Sequence, residues 1–261
     1  MMSEPSYPAA TPLLPRRRAL IIGSSKGLGA ALARRLACEG YSLAVTGRNV
    51  DLLDQLCAEI NQASGEIRAI PYVHDARNFN QVPDLLQKII TNLGGLDLFI
   101  YNAGVLLPTT PVTYEADKDL QTMEVNALGA IAWFNAVAPV FQALRSGQIV
   151  GISSVAGDRG RVGNPAYNAS KAALSTYLEA LRNRLTRHGV HVLTVKPGFM
   201  DTDMLKSSPR TFWVISPDKA AEDIWKAIRA RKQTIYTPGR WGLVMLIIQH
   251  IPSVIFRRLS F

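Results

Sequence analysis

Between residues 16 and 240, short apolar runs alternate with longer stretches in which apolar residues recur at helical spacing. Arg18-Ala-Leu-Ile-Ile22 reads as a strand ending at Gly23, and Leu28, Leu32 and Leu36 then recur along residues 27–39. Ser42–Thr46 gives a second strand, followed by a helical stripe of Leu52, Leu53, Leu56 and Ile60. Ile67–Val73, Leu96–Tyr101, Gln148–Ser153 and Val190–Val195 predict further buried strands, with helices over about 79–93, 117–146, 165–188 and 217–231. A short strand at Thr234–Tyr236 closes one edge. Strands that stay apolar throughout, separated by helices, predict an α/β fold: a doubly wound parallel sheet with helices on both faces. No internal linker interrupts residues 16–240, which form a single domain.

The two ends depart from this pattern. Residues 1–15 hold Pro5, Pro8, Pro12 and Pro15 and no apolar run, so a flexible tail is expected, without the apolar core of a secretory signal. Residues 241–261 are apolar from Trp241 to Ile248, broken at Gln249, His250 and Pro252, and apolar again at Val254–Phe256 before Arg257-Arg258. That run is shorter than the roughly 20 residues a membrane-spanning helix needs. Three readings stay open for it: an amphipathic segment lying on a membrane surface, a subunit contact, or a wall of the substrate pocket.

Composition narrows the function classes. Hydrophobic residues at 48% and charged residues at 19% exclude wholesale disorder. A net charge of +9 admits a polyanionic or phosphorylated partner. The cations are dispersed apart from Arg16-Arg17-Arg18 and Arg257-Arg258, so no nucleic-acid partner is expected. Cys38 and Cys57 cannot form a disulfide framework, which points to a reducing compartment, the cytoplasm or a membrane surface facing it. His188 and His191 lack an acidic or cysteine partner in register; they are expected at the surface, with no metal.

The chemistry begins at Gly23-Ser-Ser25-Lys26-Gly27-Leu28-Gly29, where the first strand hands over to the first helix. Gly23 and Gly27 allow a tight turn and close approach of backbone to a pyrophosphate; Gly29 lets the helix pack near the sheet. At the end of the second strand stands Arg48, with no carboxylate to hold a free ribose hydroxyl. Arg48 and Lys26 suit a 2′-phosphate, so NADP(H) is favoured over NAD(H). Asp75, after the third strand, suits either a loop cap or an acceptor for the adenine amino group.

Tyr167-Asn-Ala-Ser-Lys171 opens a predicted helix, placing a phenol and an ammonium one turn apart on one face. A tyrosine pKa near 10 must fall by about 3 units, roughly 4 kcal/mol, for proton exchange at neutral pH. A neighbouring lysine and an oxidised nicotinamide supply cations for that task. Ser154 closes a strand thirteen residues before Tyr167, and successive residues of an extended chain face opposite sides, which favours Ser154 over Ser153. Asn126 lies in the long helix, Asn102-Ala103-Gly104 ends one strand, and Pro197-Gly198 and Thr202 follow another.

Taken in order, the glycine turn, Asn102-Ala103-Gly104, Asn126, Ser154, Tyr167-x-x-x-Lys171, Pro197-Gly198 and Thr202 resemble the short-chain dehydrogenase/reductase family over residues 17–237. Ile22 and Tyr101 depart from the residues usual there, at positions that brace the turn. The resemblance implies a Rossmann-type fold, a homodimer or homotetramer, and NAD(P)-linked chemistry on alcohols and carbonyls. It also implies roles: Tyr167 as general acid/base, Lys171 lowering its pKa and bonding the nicotinamide ribose, and Ser154 orienting the substrate oxygen. Asn126 is implied to hold a proton-relay water, and Pro197, Gly198 and Thr202 the nicotinamide end. Arg159 or Arg161, in the loop bordering the pocket, suits an anionic group of the substrate, with a solvated loop as the plainer reading. Apolar Met204, Leu205, Phe212, Trp213 and Val214 fall where the resemblance implies a substrate lid, and suit either a hydrophobic carbonyl or alcohol substrate or core packing. The alternatives are a non-catalytic NADP-binding sensor or a membrane-associated scaffold on the same fold.

Overall fold

A computed structural model of the chain describes residues 17–207 and 211–259. The tail expected over residues 1–15 lies outside the described residues. The described strands are β1 (Arg17–Ile22), β2 (Tyr41–Gly47), β3 (Ala69–Val73), β4 (Leu98–Tyr101), β5 (Gln148–Ile152), β6 (His191–Pro197) and β7 (Thr234–Thr237). They form one sheet in the order β3-β2-β1-β4-β5-β6-β7, with every neighbouring pair parallel. Parallel neighbours require crossovers, which are made by α1 (Gly27–Cys38), α2 (Val50–Ser64), α3 (Val82–Leu93), α4 (Ala116–Met123), α5 (Gly129–Leu144), α6 (Pro165–Leu185) and α7 (Pro217–Arg229). Two helices follow the last strand, α8 (Trp241–His250) and α9 (Ser253–Phe256).

Side-chain alternation splits the core into two layers. Ala19 and Ile21 of β1 face α1, α2 and α7, whose Leu32, Leu53 and Ile224 are buried there. Leu20 and Ile22 face the opposite way, towards Ile89, Trp133, Phe134 and Leu178 of α3, α5 and α6. Caps fix the helix starts: the Asn49 side chain accepts from Leu52 N at 2.9 Å, and Ser216 accepts from Lys219 N at 3.1 Å ahead of Pro217.

Three boundaries differ from expectation. The third strand starts at Ala69 and leaves Ile67 exposed, because Asn61 Oδ1 accepts from both Arg68 N and Ala69 N at 2.8 Å and pins the chain there. The helix predicted over 117–146 runs from Ala116 to Leu144 but carries a π-turn at Glu124–Leu128. By length and composition this helix is apolar enough to cross a membrane, yet its Trp133, Phe134, Val137 and Phe141 are buried in the domain core. The segment beyond 240 packs Trp241 and Met245 onto Val155, Phe199 and Tyr236.

The sheet order reverses at β1, since the chain runs outwards to β3 and returns to β4 on the other side. A crevice opens beyond the carboxyl ends of the strands at such a reversal. The catalytic and cofactor-binding candidates named from the sequence line a large cleft there, apart from Gly29 and Asn126.

Candidate active site

The turn after β1 is built on close contacts that exclude side chains. Gly23 has φ of +85°, and a Cβ there would lie 2.6 Å from Ala103 Cα. A Cβ at Gly29 would run into the Gly23 carbonyl oxygen and approach Asn102 Nδ2 to 2.7 Å. Asn102 Nδ2 donates to that same carbonyl at 2.6 Å, so Asn102 and Ala103 brace the turn from the end of β4. Ser24 Oγ donates to Ile21 O at 2.9 Å. No side chain caps α1, leaving its first backbone N–H groups for a ligand. Such a cradle, with Ser25, Gly27 and Leu28 along its rim, fits the pyrophosphate of a dinucleotide. The cleft encloses about 1540 Å³, more than the ~300–1,000 Å³ of a single-ligand pocket, and so has room for cofactor and substrate together.

At the ribose end, Arg48 is exposed just beyond β2. Lys26, expected to share that task, forms an ion pair with Asp203 at 2.6 Å. Asp75 acts as the loop cap, accepting from Arg77 N at 2.9 Å and from its Nη2 at 2.7 Å. The hydrogen bonds from Arg77, helped by the charge of Arg48, hold its carboxyl down at about 2.

Tyr167 and Lys171 occupy the first turns of α6, started by Pro165. Lys171 is 3% exposed; its Nζ donates to Ile152 O at 2.9 Å and lies 5.8 Å from the centre of the Tyr167 ring. Gly104 makes room for it, since a Cβ there would stand 3.3 Å from Lys171 Nζ and 3.4 Å from Asn126 Oδ1. Ser153 turns back into α6, with its hydroxyl donating to Lys171 O at 2.9 Å and 2.7 Å from Ser175 Oγ. Ser154 faces the cleft instead, its Oγ accepting from Ala156 N at 3.0 Å. Pro197, Gly198 and Thr202 line the opposite wall, Thr202 over Gly27.

Asn126 is fixed by hydrogen bonds to protein groups. Its Oδ1 accepts from Val105 N at 2.7 Å, and its Nδ2 donates to Val105 O at 2.9 Å and Ser170 Oγ at 3.1 Å. The side chain clamps Val105 and, through Ser170, whose hydroxyl donates to Tyr167 O at 2.8 Å, braces the start of α6. Its amide is held by protein groups on both sides.

In the protein alone, burial governs both charges. Burial pushes the Tyr167 phenol up, against Ser154 and the Arg161 guanidinium, which pull it down. Burial lowers the Lys171 ammonium to about 8. In each case burial disfavours the charged form, the phenolate of Tyr167 and the ammonium of Lys171. His191 is half-buried rather than a surface residue, and burial lowers its pKa.

Three further residues shape the surroundings of the site, of which only Ser170 carried no sequence signal. Met204 Sδ lies 3.9 Å from its hydroxyl, Ser170 supports its carbonyl, and Trp241 closes the far wall against Phe199 and Phe212. Gly198 is required where it is because the Trp241 indole occupies the space of its missing Cβ. Of the three readings left open for the C-terminal segment, the pocket wall is realised by Trp241, Val244 and Ile248.

Comparison with known proteins agrees with this geometry. The profile of the short chain dehydrogenase family matches residues 17–212. A ketoacyl reductase (HetN) of Nostoc sp. is 33% identical over 215 residues, covering 80% of this chain and 74% of the relative. An uncharacterized oxidoreductase of Myxococcus xanthus is 33% identical over 257 residues, covering 98% of this chain and 97% of the relative. In fold, a crystal structure of a variant actinorhodin polyketide ketoreductase with NADPH superposes with a TM-score of 0.79 at 24% identity, over 87% of this chain and 97% of that one. The chain belongs to the short chain dehydrogenase family and is an NAD(P)-dependent oxidoreductase.

Proposed function

We propose that the protein is an NADPH-dependent reductase of a carbonyl group on a hydrophobic substrate, able in reverse to oxidise the matching alcohol. The observation that carries this reading is the pairing of the half-buried Tyr167 with the buried Lys171 beside Ser154, in the same cleft as the glycine turn. Gly23, Ser25, Gly27, Leu28 and Gly29 with the start of α1 hold the pyrophosphate, and Asp75 flanks the adenine. Arg48 meets the 2′-phosphate; Lys26 joins it only by leaving Asp203. Asn102, Ala103, Gly104, Pro197, Gly198 and Thr202 hold the nicotinamide half together with Lys171.

NADPH, when bound, supplies the hydride. Tyr167 gives its proton to the carbonyl oxygen, and Ser154 donates a hydrogen bond to the same oxygen. The loss of that proton leaves a phenolate, which the Lys171 ammonium stabilises. Burial raises the Tyr167 pKa and so favours its protonated form, the one that donates to a carbonyl oxygen. Phe199, Phe212, Trp241, Val244 and Ile248 offer an apolar surface to the substrate, and the ketoacyl reductase relative supports a keto group on it. The same α8 that forms this wall sets its outer face on a membrane surface facing the cytoplasm, and two or four copies assemble.

The test is transfer of deuterium from stereospecifically labelled NADPH to a long-chain ketone. Transfer to one face, lost by at least about 10³-fold in Tyr167→Phe, is expected for removal of a general acid from such a site. Normal turnover by that variant removes the mechanism.

A further inference from the structure

We infer that Arg161 anchors an acidic group of the substrate, a carboxylate or phosphate lying close to the reacting carbonyl. The inference rests on the reductase reading above and specifies its substrate. Arg161 follows the short turn that begins at Ser154 and lines the cleft near Tyr167. Its Nη2 donates to Val155 O at 3.2 Å, whereas its Nε is shielded from solvent and has no acceptor among the described residues.

The acid that faces it is already committed. Asp158, with a side chain 2% exposed, accepts from Lys196 Nζ at 2.5 Å and from the Tyr236 hydroxyl at 2.8 Å. No carboxylate among the described residues forms an ion pair with Arg161. Arg159 provides the contrast: its Nη1 donates to Gln249 O at 2.7 Å and its guanidinium covers the Phe256 ring at 4.4 Å, so it fastens the C-terminal helices.

A guanidinium removed from water without a counter-ion is costly, and desolvation pulls its pKa down. A ligand that brings the missing charge relieves that cost. The planar fork of arginine matches the paired oxygens of a carboxylate or phosphate. Beyond it the cleft is lined by Phe199, Phe212, Trp241, Val244 and Ile248. The substrate class is thus an amphipathic keto compound, with its acidic head at Arg161 and its apolar body along α8.

The experiment compares a long-chain γ-keto acid, its methyl ester and the matching keto alkyl phosphate. The intact protein is expected to prefer the acid or the phosphate to the ester by about tenfold or more in kcat/KM, the scale of one charge-assisted contact. Which of the two leads identifies the headgroup. In Arg161→Gln the acid-to-ester ratio falls towards unity, and Arg161→Lys, which keeps the charge without the fork, restores part of it. An equal preference for acid and ester in the intact protein overturns the inference. So does a ratio that survives in Arg161→Gln, because an arginine that merely tuned Tyr167 would slow both substrates alike. Retained NADPH binding, read by fluorescence, shows that each variant is folded. If no ketone is reduced, the reductase reading fails separately, and the Arg161 inference is decided by dissociation constants of acid and ester with NADP⁺ bound.

Discussion

Lys171 holds a formal charge almost out of reach of water, and the protein pays for it in stability. Its pKa falls from 10.5 to about 8 on folding, through desolvation. The unfolded chain therefore binds this proton more tightly than the folded one, and stability rises as pH climbs from about 8 towards 10.5. Lys171→Met removes the buried ammonium at the expense of one hydrogen bond to Ile152 O, a net gain of about 2 kcal/mol at pH 7. We expect Tm to rise by several degrees at pH 7, the gain to shrink by pH 10, and turnover to collapse; thermal melts at the two pH values check this. A lower Tm at pH 7 would place the lysine among stabilising residues. The spacing of Tyr167 and Lys171 was legible in the sequence because four residues make one helical turn. The direction of the Tyr167 shift was not, because it depends on how much protein covers the ring.

At the scale of elements, the long helix before β5 is shaped by its π-turn. Widening one turn leaves a carbonyl without its helical partner. The hydroxyl of the fully buried Tyr101, from the end of β4, donates to Val125 O at 2.5 Å within that turn. The next residue is Asn126, whose amide clamps Val105 and Ser170. Tyr101 therefore links the sheet to the segment that braces Tyr167. Tyr101→Phe leaves Val125 O buried without a donor and is expected to cost about 1–3 kcal/mol. A fall in kcat with little change in the KM for NADPH should accompany it, as kinetics and denaturant unfolding on the same sample would show. Unchanged stability would mean that the π-turn does not need the hydroxyl. The alternation of apolar runs revealed the sheet and its crossovers because burial on both faces leaves a mark at every position. A π-turn leaves none, since an apolar face survives one widened turn. Nor could periodicity tell that Asn61 would fix the start of β3, because that bond joins residues on different elements.

Across the whole molecule the charge is uneven. From Ile224 to Phe261 the chain holds seven Lys and Arg residues and no Asp or Glu, against a net charge of +9 overall. In this stretch α8 turns Trp241, Val244 and Ile248 towards the cleft, while Leu243, Leu246 and Ile247 remain 66%, 55% and 60% exposed on its outer side. Val254 and Ile255 of α9 continue that surface up to Arg257 and Arg258. A second copy of the chain, docking through the same face, would bring the like charges of Arg257 and Arg258 of the two copies into the contact. A bilayer with anionic lipid supplies both the apolar interior and the opposite charge. Each buried Leu or Ile contributes about 1.5–3 kcal/mol, and each cation near an anionic surface about 1 kcal/mol. Full-length protein should therefore float with phosphatidylcholine vesicles containing phosphatidylglycerol, and be released by high salt. Leu246→Glu with Ile247→Glu, on the outer face and away from the cleft, should weaken that binding on the order of 100-fold while a water-soluble ketone is still reduced. If the double variant floats as well as the parent, or the parent stays with the soluble fraction, the outer face of α8 serves something other than lipid. In either case the inner face still walls the cleft, because Trp241 fills the space over Gly198 whatever lies outside.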